Sequence, residues 1–289
     1  GIISGSSSVV QLDAWNWEDA VIRYDQGIHL NWPSPYSRSG YSYYRGPSVI
    51  KKSDKYDSSV EEIKNFFNSS KAYLNEPNPN PVSLPYKAMS SVFSGNATVF
   101  LHANDEKQIN DGIKFLQDQK IKNIVVVGGT NSLEAGDFLV DNNIKIALEQ
   151  PHTLPSMEDE DVKSRFRLAS QLINKGVTVA VDATGQMTRM NTRNLPFFAG
   201  SFAAYGVEKE KAVESITLNA AKVLGIEDNY GSIEVGKSAT LFVSHGDALD
   251  MRTNNLSHAY IDGRSVSLET NQTKLWQRYK KKVEEEKSN

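Results

Sequence analysis

The sequence contains no cysteine among its 289 residues. No disulfide can therefore stabilise the fold, no thiolate can act as a nucleophile, and no zinc site can be built from cysteine sulfur. The chain would fold equally well in an oxidising compartment, because it has no thiol to oxidise. Candidate metal ligands in this chain are therefore histidine and carboxylate side chains.

The chain also lacks a strong excess of charge of one sign and a long apolar run. Its formal net charge of −3 gives no electrostatic basis for binding nucleic acid or an anionic membrane surface. No apolar run approaches the roughly 20 residues that a membrane-spanning helix needs. No phosphate-binding glycine motif is present, since Gly128-Gly129 alone does not qualify, and this disfavours a sugar- or nucleotide-binding protein. We therefore expect a small-molecule substrate as the partner, with no nucleic acid and no membrane.

The hydrophobic pattern predicts strands that alternate with helices in the middle of the chain. The predicted strands are 98–104, 123–129, 144–150 and 177–182, and the predicted helices are 105–120, 132–142 and 164–175. This alternation is typical of parallel β/α units. In such a sheet, reactive side chains lie at the carboxyl ends of the strands, where the loops converge.

The flanking regions give further expectations. Residues 27–47 are rich in proline, serine and aromatic residues, and they predict a long active-site loop or lid. His29, at the start of this loop, is interpreted as a hydrogen-bonded structural residue. Amphipathic helices are predicted over 58–74 and 209–224, and the second ends at Gly225. Short strands and turns follow from residue 231.

Two residues are candidates for the reactive centre because they lie at or near the carboxyl ends of predicted strands. His102 follows the apolar run of the strand 98–104, and Asp182 ends the strand 177–182. Thr184 follows two residues later and would point to the same side as Asp182 if the strand continued. A metal ion or a general base could be assembled from such side chains on different strands.

Three further residues are candidates for substrate contacts or proton transfer. Arg189 and Arg193 could bind a substrate carboxylate bidentately, or they could be solvated surface residues. His152 follows the strand 144–150 and could be a catalytic acid/base residue, a substrate contact, or a loop histidine held by backbone hydrogen bonds. Glu149 is equally compatible with a site role and with an ion pair.

One segment carries a resemblance to a known family. Residues 216–243, ITLNAAKVLGIEDNYGSIEVGKSATLFV, resemble the closing signature of the amidohydrolase superfamily, and Asp262-Gly-Arg264 resembles the turn that ends the same family's composite β-sandwich. Residues 98–200 resemble the second half of the family's barrel, in the branch similar to imidazolonepropionase and related exported bacterial amidohydrolases. The resemblance extends over nearly the whole chain.

The resemblance implies an architecture. It is an α/β fold, a partial (β/α)8 TIM-like barrel with a small C-terminal β appendage that forms part of a composite β-sandwich. The implied domains are the barrel portion, 1–228, the β-sandwich portion, 229–268, and a charged tail, 269–289. By the same resemblance the protein would be exported or periplasmic, and a cytoplasmic location is also compatible with the sequence.

The resemblance also implies a chemistry. Relatives are metal-dependent hydrolases of carbon–nitrogen bonds in small, often cyclic, amides, and they use a divalent metal, which we expect to be zinc. Such an ion lowers the pKa of a bound water towards about 7. His102 matches the family's metal-binding histidine on the fifth strand. Asp182 is the nearest carboxylate to the family's eighth-strand position, as a metal ligand and as the catalytic acceptor of the water's proton.

The family pattern is incomplete in this sequence. The sixth-strand position carries no histidine, and the first-strand His-x-His pair is absent because none of the five histidines lie two residues apart. Either the first strand and half of the sandwich lie upstream of Gly1, or the protein is a degenerate, non-catalytic small-molecule-binding relative. If strands are missing, we expect an open barrel edge that is covered by the missing N-terminal segment or by a second copy in a homo-oligomer.

Overall fold

The structure, a computed structural model, describes residues 1–39, 49–155, 160–185 and 188–287. Residues 40–47 of the predicted loop lie outside this description, as do residues 48, 156–159, 186–187 and 288–289. The chain forms two compact units, Gly1–Ser232 and Ile233–Asn289. Within the described ranges, no helix has the length and apolarity needed to cross a membrane.

The first unit contains eight strands and ten helices in its described part. The strands are β1 (Ile3–Val10), β2 (Val21–Asn31), β3 (Tyr36–Ser39), β4 (Val49–Lys52), β5 (Thr98–Asp105), β6 (Ile124–Asn131), β7 (Lys145–Glu149) and β8 (Val179–Asp182). The helices are α1 (Trp17–Ala20), α2 (Tyr56–Leu74), α3 (Leu84–Ala88), α4 (Ser90–Phe93), α5 (Glu106–Asp118), α6 (Gly136–Asp141), α7 (Ser164–Lys175), α8 (Leu195–Ala204), α9 (Lys209–Glu214) and α10 (Leu218–Leu224), with a 3₁₀ segment at Thr188–Asn194.

Six of these strands form one sheet in the order β1-β2-β5-β6-β7-β8. Strands β2, β5, β6, β7 and β8 are parallel, and β1 pairs antiparallel with β2 at the edge. The predicted alternation of strands and helices from residue 98 to residue 182 is confirmed. This is the α/β fold expected for part of a barrel, and all carboxyl ends of its parallel strands lie at one edge.

One face of the sheet, here called the outer face, is covered by helices. Leu101 on β5 and Ile146 on β7 are fully buried, and so is Ile113 on α5. The contact between α5 and β5 is close, because a Cβ atom added at Gly112 would lie only 2.8 Å from a methyl group of Leu101. Branched aliphatic residues at alternate strand positions thus form a core that fixes the strand register.

Helix α5 starts where it does because its first turn is capped. The Asp105 side chain accepts a hydrogen bond from the backbone N–H of Gln108 at 3.0 Å, and the Gln108 side chain accepts from the backbone N–H of Asp105, which completes a capping box. The Gln108 amide also donates to the carbonyl oxygen of Trp32 at 2.9 Å. The cap therefore connects the end of β5 to the segment that follows β2.

The opposite face, here called the inner face, is packed only at one end. Phe100, Val125, Val127 and Ala180 form a small cluster with Val223 of α10. Because strand side chains alternate, the polar residues two positions further along the strands lie on the same face. The inner face is therefore apolar near α10 and polar towards the carboxyl ends of the strands.

Two expectations from the sequence are wrong. Residues 27–31 do not belong to a loop, because β2 continues to Asn31 and pairs with β5 from Gly27↔Thr98 to Asn31↔His102. The predicted helix 209–224 is two helices, α9 and α10. The break occurs where buried Ser215 uses its carbonyl oxygen to accept the backbone N–H of Val181 at 3.0 Å. That bond satisfies a strand group at the cost of helix continuity.

The second unit contains a small sheet and one helix in its described part. Strands β9 (Leu241–Ser244), β10 (Leu256–Ile261) and β11 (Arg264–Ser265) form an antiparallel sheet with β10 in the centre, and α11 spans Asn271–Lys287. The side chain of Ser238 donates a hydrogen bond to Asp262 at the turn between β10 and β11. The expected β appendage is confirmed, and α11 lies within the charged tail.

Candidate functional site

A cavity of about 740 Å³ lies on the inner face of the six-stranded sheet. Most of its wall is apolar and comes from the strands, from α10 and from Leu195. Its polar lining includes six side chains that could contact a ligand, namely Ser7, Gln26, His29, His102, Asp182 and Arg189. A concave apolar site with a few convergent polar groups is the usual form of a small-molecule site.

Two histidines from neighbouring strands lie in direct contact in this cavity. The Nδ1 atom of His29 on β2 lies 2.8 Å from the Nε2 atom of His102 on β5, which is a hydrogen bond. The other ring nitrogen of His29, Nε2, lies 3.0 Å from the hydroxyl oxygen of Ser7 on β1. The His29 ring also stacks on Phe100, with ring centroids 5.0 Å apart. Three adjacent strands therefore hold the His29 ring in place.

Both histidines favour the neutral form. Burial lowers the pKa of His29. Burial is also the main cause of the lowered pKa of His102, and His29 lowers it further, whereas the negative charge of Asp182 acts in the opposite direction. Burial disfavours a charged imidazole because the ion loses its hydration. Each neutral imidazole keeps one unprotonated ring nitrogen that can accept a hydrogen bond.

Asp182 lies at the carboxyl end of β8, as its sequence position predicts. It is buried, and its Oδ1 atom accepts a hydrogen bond from the backbone N–H of Thr184 at 2.8 Å. This bond turns the chain at the end of the strand. Both Asp182 and Thr184 line the cavity.

The two candidate arginines differ in their position relative to the cavity. Arg189 is exposed and lines the cavity, whereas Arg193 is exposed and is not among the described residues that line it. Both lie in the 3₁₀ segment that follows β8. Arg189 therefore remains a candidate for contact with a ligand, and Arg193 is placed as a surface residue.

His152 is held away from the cavity by its own contacts. Its Nε2 atom lies 2.7 Å from the hydroxyl oxygen of Ser201, and its ring packs against Phe166 and Phe198. Burial lowers its pKa. The structure thus does not bring His152 together with His102 and Asp182.

Glu149 lies at the end of β7 and pairs in register with Asp182 on β8. Burial raises the pKa of its carboxyl group, Arg165 lowers it, and Asp182 raises it further. Glu149 and Arg165 line a second, more polar cavity of about 530 Å³. Glu149 therefore lines the second cavity, whereas Asp182, its neighbour in register, lines the first.

The residues in place do not fit a divalent metal. A catalytic zinc site needs about three protein ligands that converge on one point. Within residues 1–39, 49–155, 160–185 and 188–287, no group of three or more histidine or carboxylate side chains is placed to hold an ion. The Nε2 atom of His102 is instead engaged by His29. We therefore derive no chemical step through a metal in this chain.

Sequence reasoning missed three cavity residues, namely Ser7, Gln26 and His29. A signal for His29 was present, because Ile28-His29-Leu30 alternates apolar and polar residues as a half-buried strand does. Gln26 is 2% exposed, and its Oε1 atom has no hydrogen-bond partner among the described residues. Its position in the wall could not be inferred from neighbouring residues.

Comparisons with known proteins agree with this fold. The chain matches the Amidohydrolase family over residues 139–266. Its structure is similar to that of an amidohydrolase from Thermotoga maritima MSB8, with a TM-score of 0.76 and 20% identity over 92% of this chain and 69% of that one. The resemblance to the amidohydrolase superfamily is confirmed.

Other solved structures are less similar to this one. A zinc-bound adenosine deaminase from Xanthomonas campestris gives a TM-score of 0.44 and 17% identity, covering 81% of this chain and 63% of that one. Molinate hydrolase gives 0.45 and 18%, covering 59% and 42%. These two scores are too low to support an argument, and the chain spans less than two thirds of either protein. Sequence comparison with curated proteins finds no significant match.

The range of the amidohydrolase match includes some of the candidate site residues and not others. Asp182, His152, Arg189 and Arg193 lie within residues 139–266, whereas His102 lies outside that range. The assignment of His102 as the fifth-strand histidine therefore depends on its strand position. The closer resemblance to the imidazolonepropionase branch stays a prediction.

Proposed function

We propose that the first unit binds a small organic amide in the inner-face cavity, and that the chain is an amidohydrolase-type hydrolase of non-peptide carbon–nitrogen bonds or a large part of one. The observation that carries this proposal is the cavity itself. Apolar walls and a few polar side chains converge there at the carboxyl ends of parallel strands.

Each polar group of the cavity has a role in this proposal. Arg189 binds a carboxylate of the substrate, since a guanidinium forms paired hydrogen bonds to that group. The Asp182 carboxylate, next to the neutral His102, accepts the proton of the water that attacks the amide carbonyl. The apolar wall near Val127 and Ala180 covers the rest of the substrate and excludes other water.

The divalent metal, expected to be zinc, is a separate part of the proposal. It rests on the family resemblance and not on the residues in place. Bound metal per chain, measured by plasma mass spectrometry on protein purified without chelators or a histidine tag, tests it. About one equivalent that is lost in His102→Ala would support His102 as a ligand. No bound metal in the unmodified protein would contradict that role.

A matched pair of arginines tests the substrate site. We expect Arg189→Gln to weaken the binding of small cyclic amides that carry a carboxylate by about tenfold, because a charge-assisted hydrogen bond contributes about 1.5 kcal/mol or more. Arg193→Gln should change binding by no more than about twofold, as exposed substitutions usually do. Calorimetric titration measures both. Equal losses in the two variants would contradict the placement of the substrate.

A non-catalytic binding protein is the second candidate function. The hydrogen bond between His29 and His102 favours it, because it occupies one of the two His102 nitrogens through which that residue could bind a metal. Product formation from the tightest-binding amide separates the two functions. Turnover that is lost in Asp182→Asn while binding remains would support the hydrolase, and binding without any turnover would support the second candidate.

A further inference from the structure

Three side chains on three adjacent strands form a continuous hydrogen-bonded series in the cavity wall. The hydroxyl oxygen of Ser7 lies 3.0 Å from His29 Nε2, and His29 Nδ1 lies 2.8 Å from His102 Nε2. All three residues line the 740 Å³ cavity. Ser7 and His29 come from the antiparallel pair β1–β2, and His102 from the neighbouring β5.

This arrangement has the order of parts that an activated hydroxyl nucleophile needs. A nucleophile lies within hydrogen-bond reach of a base, and a third group orients the base through its other nitrogen. In the productive direction, Ser7 donates its proton to His29 Nε2, and His29 Nδ1–H donates to the unprotonated His102 Nε2. Stacking on Phe100 further restricts the rotation of the His29 ring.

We propose that Ser7 is a catalytic nucleophile that accepts acyl groups, that His29 is its general base, and that His102 is a positioning residue for His29. The activity is independent of any metal and goes beyond the hydrolase proposed above. Its substrates are esters or activated amides small enough to enter the cavity.

The reaction balances within the residues and water. The Ser7 oxygen forms a bond to the substrate's carbonyl carbon, and the hydroxyl proton moves to His29 Nε2. The bond from that carbon to the alcohol or amine breaks, and the leaving group takes the proton from His29. Water then attacks the acyl-serine ester with His29 again as base, which releases the carboxylic acid and restores Ser7.

The cavity also limits the acyl group. Its wall is largely apolar. The geometry therefore favours an acyl group that has an apolar body.

Covalent labelling tests the nucleophile on the full chain. A fluorophosphonate probe should form one adduct on the intact protein, located at Ser7 by peptide mapping. The adduct should be absent in Ser7→Ala and should form at least about tenfold more slowly in His29→Gln, since a positioned general base contributes at least that much. Ser6→Ala is the matched control, because Ser6 is the exposed neighbour on the same strand.

A second pair of variants keeps the test decisive if the alanine variant folds poorly. The chain has no cysteine, so Ser7→Cys and Ser6→Cys each create a single thiol. Exposure alone predicts faster alkylation at position 6, because Ser6 is exposed and Ser7 is half-buried. The proposal predicts that iodoacetamide modifies Ser7→Cys at least about tenfold faster, because His29 withdraws the thiol proton.

The outcomes are distinct. An adduct at Ser7 and the faster thiol at position 7 support the proposal. No adduct at Ser7, together with a thiol at position 7 no faster than that at position 6, overturns it. Neither measurement uses an amide substrate, so a negative result here leaves the carbon–nitrogen hydrolase proposal to its own test.

Discussion

The two faces of the six-stranded sheet differ in what their residues do. On the outer face, Leu101, Ile146 and Leu148 are almost completely buried beneath helices. On the inner face, β5 and β8 place His102 and Asp182 beside a cavity. A side-chain period of two lets one strand serve both faces, because successive residues point in opposite directions.

The comparison shows that residues on one face of the strands stabilise the fold, whereas residues on the other face form the candidate site. The outer face can be optimised for packing, since none of its residues is needed at the site. The inner face carries partly buried polar groups whose burial is unfavourable unless they form hydrogen bonds. The pair His29–His102 and the bond from Thr184 to Asp182 supply these partners.

The largest expected effect on stability comes from a substitution on the outer face. Leu101→Ala should lower the free energy of unfolding by about 3 kcal/mol, because it leaves a cavity in a fully buried core. Val127→Ala, on the inner face, should cost about 1.5 kcal/mol, because the lost methyl groups adjoin an existing cavity. Urea denaturation measures both. Costs that are equal per deleted carbon atom would show that the two faces are equally well packed.

A smaller effect tests whether the inner-face histidines act as a pair. His29→Ala and His102→Ala should each cost about 1 to 2 kcal/mol, because each leaves a partly buried nitrogen without its partner. The double variant should cost less than the sum of the two by about 1 kcal/mol, because the second substitution removes a group already unpaired. Urea unfolding of all four proteins gives this coupling.

The control for this coupling is His152→Ala combined with His29→Ala. His152 contacts Ser201, Phe166 and Phe198, and it shares none of these partners with His29. The two costs should therefore add within about 0.5 kcal/mol. Additive behaviour of His29 and His102 as well would contradict the hydrogen bond between them.

The same two faces explain how much could be predicted from the sequence. The strands β5 to β8 and their helices were predictable because each has a local hydrophobic pattern, and so was the position of His102 and Asp182 at strand ends. The continuation of β2 through His29 was not, because it depends on pairing with residues about seventy positions later. Gln26 precedes the same paired segment of β2, and Ser7 enters the site through the antiparallel pairing of β1 with β2.

The break between α9 and α10 was also not predictable from the local sequence. The local pattern of residues 209–224 favours one continuous helix. Ser215 departs from it because its carbonyl oxygen bonds to Val181 on β8, a contact that helical periodicity does not report. Local sequence thus predicts elements well, whereas the inner-face site arises from contacts between elements.

The smallest expected effect concerns Glu149 at the end of β7. Burial raises the pKa of Glu149 above its unfolded value of about 4.3, so the folded state binds this proton more tightly than the unfolded state. The stability that comes from this proton is fully present below the unfolded pKa. It is lost as the pH rises through the higher folded pKa.

Glu149→Gln removes this titration while keeping a side chain of similar size. The variant should therefore gain stability relative to the unmodified protein as the pH rises through that window, and the difference should level off above it. Thermal unfolding measured from about pH 4 to pH 8 follows the difference, and the exposed Glu134→Gln variant is the control for loss of a charge. A difference that stays constant with pH would mean that the strand-end edge stabilises the Glu149 carboxylate as well as water does. In that case, burial would not destabilise the charged Glu149 side chain on the inner face. The proposed difference between the inner and outer faces would then not hold at β7.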